Sequence, residues 1–160
     1  MRIPSMRALP ALSAAIFALA AQAQTSALPT GVRRVPPERL GNYWLLIPES
    51  AQASVPNSGY GLDAPTCVAV SYIVEKNGAT SHVKLEKVVP TGPLGKVAFN
   101  VVSGMRFATA PQNAGKDPVA TWVVMPFNVP DAASTKPADK AMRERVLAPC
   151  QLADSTTPSK

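Results

Sequence analysis

The order of elements along the chain predicts a small α+β fold. A hairpin and a C-terminal edge strand form an antiparallel sheet, one helix packs on a sheet face, and a helical extension ends the chain. Alternation is the first sign. Val68, Val70, Tyr72 and Val74 share one face of a period-two pattern, as a half-buried strand requires. Asn77-Gly78 then separates this run from a second one, with Val83 and Leu85 on one face and His82, Lys84 and Glu86 on the other. Asn-Gly in that setting predicts a two-residue type I′ turn, with positive φ at both central residues. The period next changes to that of a helix. Leu94, Val97, Ala98, Val101, Val102 and Met105 are spaced as one apolar stripe and predict a helix packed on the sheet. The run 119–129 is rich in β-branched and aromatic residues and predicts the last strand. Its Pro126 lacks an N–H, so the strand is expected at an edge or at a bulge.

These residues resemble the C-terminal domain of TonB, the energy transducer of Gram-negative bacteria. The resemblance starts at Val70-Ser71-Tyr72-Ile73-Val74, passes Asn77-Gly78 and Val83-x-Leu85, and reaches Gly104-Met105-Arg106-Phe107-Ala108-Thr109-Ala110. It continues through Asn113-x-Gly115-Lys116-x-Pro118-Val119 to Trp122-Val123-Val124-Met125-Pro126-Phe127. Met105 stands where the family usually has Trp, and Thr109 where it usually has Pro. The resemblance covers about 60 residues, a small domain's worth. It implies capture of an extended segment of an outer-membrane receptor by strand addition, with main-chain hydrogen bonds supplying affinity. The matching edge is the last strand, and Thr121, Trp122, Val123, Val124 and Met125 are the residues expected to carry it.

The N-terminus reads as an export signal. Arg2 and Arg7 form a positive n-region, residues 11–21 are apolar, and Ala21-Gln22-Ala23 is an A-x-A cleavage site. A membrane span needs about 20 apolar residues, and Pro10 and Gln22 bracket this run too tightly. The Ser and His of TonB anchors have no counterpart here, and no cysteine marks a lipoprotein boundary. The expected organisation is a signal peptide at 1–23, an N-terminal extension at 24–66, the TonB-like domain at 67–130, and a linker, short helix and tail at 131–160. The expected location is the periplasm.

An oxidising compartment gives the two cysteines a meaning. An even count in an exported chain favours one intramolecular bridge, Cys67–Cys150, over free thiols or intermolecular pairing. Residues 138–147 have helix-forming composition, with Met142, Val146 and Leu147 apolar, and the bridge would clamp that helix against the start of the sheet. Upstream, Tyr43-Trp44-Leu45-Leu46-Ile47-Pro48 is short enough for a strand. It reads as core rather than as an exposed contact site, since most Trp are largely buried. Asn57-Ser58-Gly59-Tyr60-Gly61 reads as a loop, and 130–137 as a linker.

Chemistry-bearing patterns are sparse. The single histidine, His82, falls on the polar face of a strand beside Lys84. It reads as solvent-facing, with no second histidine for a metal site. No G-x-S-x-G elbow and no phosphate-cradling glycine loop occur, and the ten acidic residues are dispersed. No catalytic residue, metal or cofactor is expected, and an enzyme is disfavoured. The net charge of +6 falls to about +4 once the leader is removed. The basic residues form no aromatic-interleaved stripe, which disfavours nucleic acid as a partner. Two function classes compete. One is an envelope interaction module that binds an extended segment of a receptor or another envelope protein. The other is a structural or inhibitor-like periplasmic domain whose edge is capped by residues 138–147 or 43–47.

Overall fold

The computed structural model describes residues 28–54 and 61–152. The expected signal peptide, most of the loop after residue 56 and the last eight residues lie outside them. The fold is α+β: a four-stranded sheet, a two-stranded ribbon, a helix packed on one sheet face and a second helix near the C-terminus. No helix among the described residues is long and apolar enough to cross a membrane.

The centre is β3 (Thr66–Val74), flanked by β4 (Thr80–Val89) and β6 (Val119–Phe127), both antiparallel to it. The β3 run is buried along almost its whole length because both of its faces are covered. Val68, Val70, Tyr72 and Val74 face α1 (Leu94–Gly104), whose Leu94, Val97, Ala98, Val101 and Val102 complete the main core. Gly95 lets this helix come close, since a Cβ there would stand 2.9 Å from Val88 Cγ2. On the opposite face Cys67 and Ala69 lie beneath Val146 and Leu147 of α2 (Pro137–Leu147). The disulfide Cys67–Cys150, with Cα atoms 6.0 Å apart, fastens this end of the chain to β3.

The hairpin is present, but its turn is not type I′. Positive φ occurs at Gly78 (77°) and not at Asn77. The Gly78 N–H donates to the Glu75 carbonyl at 2.8 Å and the Glu75 N–H to the Ala79 carbonyl at 2.8 Å. This is the three-residue loop in which a turn is followed by one left-handed residue. Asn77 serves by its side chain instead, Oδ1 accepting the Ala79 N–H at 3.0 Å. Gly78 has a second constraint, because its carbonyl accepts the Phe107 N–H at 2.8 Å and a Cβ would collide with the Phe107 carbonyl oxygen.

The N-terminal extension is part of the fold. β1 (Arg33–Arg34) pairs in parallel with Val119 and Ala120, giving the order β1-β6-β3-β4. β2 (Trp44–Leu46) pairs with β5 (Phe107–Thr109) as the separate ribbon. Val35 and Trp44 are core residues, and Trp44 Nε1 donates to the Asp117 carbonyl at 3.0 Å. The reading of 43–47 as core holds for Trp44 and in part for Tyr43, which packs half-buried against the core. Leu45, Leu46 and Ile47 are 47%, 42% and 39% exposed, because nothing described covers that side of the ribbon. The last strand ends at Phe127, short of the expected 129, where Asn128 turns to a φ of 54°.

Candidate functional site

The site expected from sequence is the free side of β6, and its backbone directions are fixed by its neighbours. The Arg33 N–H donates to the Pro118 carbonyl at 3.3 Å and the Val35 N–H to the Ala120 carbonyl at 2.9 Å. Backbone groups in a strand point alternately to either side, and the register with β3 runs unbroken from Val119 to Phe127. The N–H and C=O groups of Trp122 and Val124, and the carbonyl of Pro126, therefore point away from β3. The donor that Pro126 lacks falls on this outward side, where the ladder to β3 does not need it. Among the described residues no strand pairs with this side beyond Ala120.

The five expected residues divide into two sets. Trp122 and Val124 present outward backbone, with side chains on the face that carries α2; Val124 packs against Cys67 and Ala69. Thr121, Val123 and Met125 turn their backbone to β3 and their side chains to the α1 face, where Val123 and Met125 are half-buried. Thr121 corrects the expectation most. It is 3% exposed, its backbone is committed to the Tyr72 pair, and its hydroxyl has no partner. The period of two in a strand assigns neighbouring residues to opposite roles.

Neither cap expected from sequence lies over this edge. α2 sits on a sheet face, held there by the disulfide, and Trp44–Leu46 pairs with β5. What does reach β6 is β1, with the 3-10 helix Pro37–Asn42 that follows it, and sequence reasoning missed the strand. It is too short for periodicity to register. Its only marks are the punctuation on each side, Gly31 with a φ of 83° and the pair Pro36-Pro37.

Trp122 has a polar neighbour on the β3 side. Ser71 pairs with it across the strands, and Ser71 Oγ donates to Glu86 Oε1 at 2.7 Å. Lys84 Nζ meets Glu86 Oε2 at 3.0 Å. Burial alone would raise the Glu86 pKa, but the hydrogen bonds from Ser71 and Lys84 and the charges of Lys84 and Arg34 outweigh it. They hold the carboxyl below its usual range. Such a carboxylate is a fixed charge at neutral pH, not a proton donor. His82 is exposed, with Nδ1 3.0 Å from Ser81 Oγ. Among the described residues no group of acidic, histidine or cysteine side chains is placed to hold a metal ion. What this arrangement offers a partner is hydrogen-bonding backbone flanked by half-buried apolar side chains. Comparison with protein-family models and with curated proteins finds no match.

Proposed function

We infer that this chain is an exported, TonB-like interaction module that binds an extended segment of an envelope protein by strand addition along β6. A TonB-dependent outer-membrane receptor is the partner class that the family resemblance favours. The observation that carries this reading is the outward row of Trp122, Val124 and Pro126, which no described strand satisfies. Long unpaired edges promote aggregation and are usually blunted, so an edge that no described strand pairs beyond Ala120 supports a binding role. Each main-chain bond gained contributes about 0.5–1.5 kcal/mol. A segment that makes several reaches micromolar affinity only with help from the flanking Val123, Met125 and Trp122 side chains.

Val124→Pro tests the reading, because it removes an outward donor and leaves the β3 ladder untouched. Its affinity for a receptor-derived extended peptide, measured by calorimetry, is expected to fall about tenfold, an effect of about 1.4 kcal/mol. Val123→Ala is expected to change it less than threefold. A melting curve confirms that the proline variant folds. Equal binding by the folded proline variant and the parent refutes strand addition. Export is tested by the intact mass of periplasmic protein, which is expected to begin at Gln24. Retention of residues 1–23 would refute it.

A further inference from the structure

The sheet has a second edge, on the far side from β6. β4 ends the order β1-β6-β3-β4, and among the described residues no strand pairs with its outer side. One flank of α1 runs along it. A Cβ at Gly95 would stand 3.6 Å from Leu85 Cδ1, and further along the same flank the Ser103 carbonyl accepts the Thr80 hydroxyl at 3.1 Å. Phe99 stands midway between Gly95 and Ser103 at helical spacing, so its side chain lies beside the middle of β4. Leu85 and Phe99 are 38% and 37% exposed. They form an apolar strip along this edge, which the half-buried Val83 and Val88 continue into the main core. The opposite face of the same stretch is charged. Lys84, which pairs with Ser71 across the strands, meets Glu86 at 3.0 Å with the two side chains 66% and 26% exposed.

We propose that this edge is a self-association surface, at which two copies of the chain meet as an isologous dimer with β4 antiparallel to β4 and the twofold axis beside Leu85. The charge pattern selects a second copy as the occupant. Lys84-Leu85-Glu86 reads basic, apolar, acidic about its central residue. An antiparallel copy turned about Leu85 sets Leu85 against Leu85 and each Lys84 against the Glu86 of the other copy. A parallel copy in register sets Lys84 against Lys84 and Glu86 against Glu86, which is unfavourable. On the α1 face the same twofold brings the Leu85 and Phe99 strips of both copies together and removes them from water. The pairing of β4 with β3 shifts register on both sides of Lys84-Leu85, and His82 has a φ of 49°. These irregularities stop β4 from pairing along its full length, so the contact is confined to about five residues around Leu85 and is weak. The proposal does not depend on peptide capture, because in the joined sheet the β6 strands of both copies lie away from the new contact.

Sedimentation velocity of the mature chain between about 1 µM and about 1 mM is expected to show a reversible monomer–dimer equilibrium. A monomer throughout that range overturns the proposal. Lys84→Glu and Glu86→Lys each set like charges against one another, and each is expected to weaken the dimer about tenfold. An equimolar mixture of the two variants restores a lysine opposite every glutamate. It is expected to associate within about threefold of the parent, and a mixture no tighter than either variant alone overturns the pairing. Should Glu86→Lys not fold, Leu85→Cys decides instead. Residues facing each other across the axis have Cα atoms about 5 Å apart, within reach of a disulfide. Oxidation is therefore expected to give a covalent dimer from Leu85→Cys and none from Lys76→Cys, and no cross-link at 85 overturns the proposal. Leu85→Arg is expected to abolish the dimer while leaving peptide capture within about twofold of the parent. A dimer that Val124→Pro dissolves and Leu85→Arg does not would lie on β6 and overturn the assignment to β4.

Discussion

Thr121 is buried at 3% exposure, yet its hydroxyl finds no hydrogen-bond partner. A buried polar atom left unsatisfied is unfavourable by about 1–3 kcal/mol. Valine has the same branched shape and no such atom, so Thr121→Val is expected to stabilise the fold by about 1 kcal/mol in urea denaturation. Equal or lower stability would mean that the hydroxyl is satisfied in solution. Its cross-strand neighbour Tyr72 shows a second effect of burial, which pushes the phenol up to about 12. The folded pKa lies above the unfolded value of about 10, so this contribution is complete below pH 10 and is lost as pH rises through 12. A shift of about two units corresponds to about 2–3 kcal/mol. Wild type is therefore expected to lose stability more steeply than Tyr72→Phe between pH 10 and 12, and parallel pH profiles would refute the assignment. Asn77-Gly78 signalled a turn, but its type depended on Phe107 bonding to the Gly78 carbonyl, a contact that local sequence does not contain.

The strands and helices followed the periodicity wherever one face was wet and the other dry. α1 spans Leu94–Gly104, with its buried residues on the apolar stripe, and α2 spans Pro137–Leu147 against an expected 138–147. β1 escaped because two residues carry no period, and its pairing with β6 depends on chain brought from over 80 residues away. The same physics separates the candidate site into a legible and an illegible part. Composition and Pro126 marked β6 as a strand with one free side; which of its residues turn outward depended on the Arg33 and Val35 hydrogen bonds. Amide exchange reads this directly. In the free protein Trp122 and Val124 are expected to exchange at least tenfold faster than Thr121, Val123 and Met125, whose N–H groups enter the β3 ladder. Uniform protection along 121–125 would mean that the outward side is covered.

The whole molecule has unequal cores on the two sides of its sheet, and the disulfide serves the smaller. On the α1 side, Trp44, Tyr72, Phe107, Leu94 and a dense set of valines are buried together. On the other side the cluster beneath α2 consists of Cys67, Ala69 and Cys150, Ile73 and Ala120 are buried further along the same face, and no residue of α2 is fully buried. An 11-residue helix with no fully buried residue is marginal on its own, so the bridge is expected to supply much of what holds α2 in place, beside the packing of Val146 and Leu147. Closing a loop of 83 residues restricts the unfolded chain by about 4–5 kcal/mol on the chain-entropy model. The double variant Cys67→Ala, Cys150→Ala is expected to fold, since the α1-side core needs neither cysteine, but to unfold at a lower urea concentration. Its losses should also be unequal. Amides of 140–147 should exchange far faster than in the parent, while those of 97–104 quicken only as far as the global stability falls. Equal loss of protection in the two helices would show that both faces unfold as one unit and that the bridge supports the whole sheet. If α2 alone loosens, Val124 loses its cover on that face while its outward N–H keeps its direction. Peptide capture by the double variant should then weaken by less than the proline substitution at 124 weakens it.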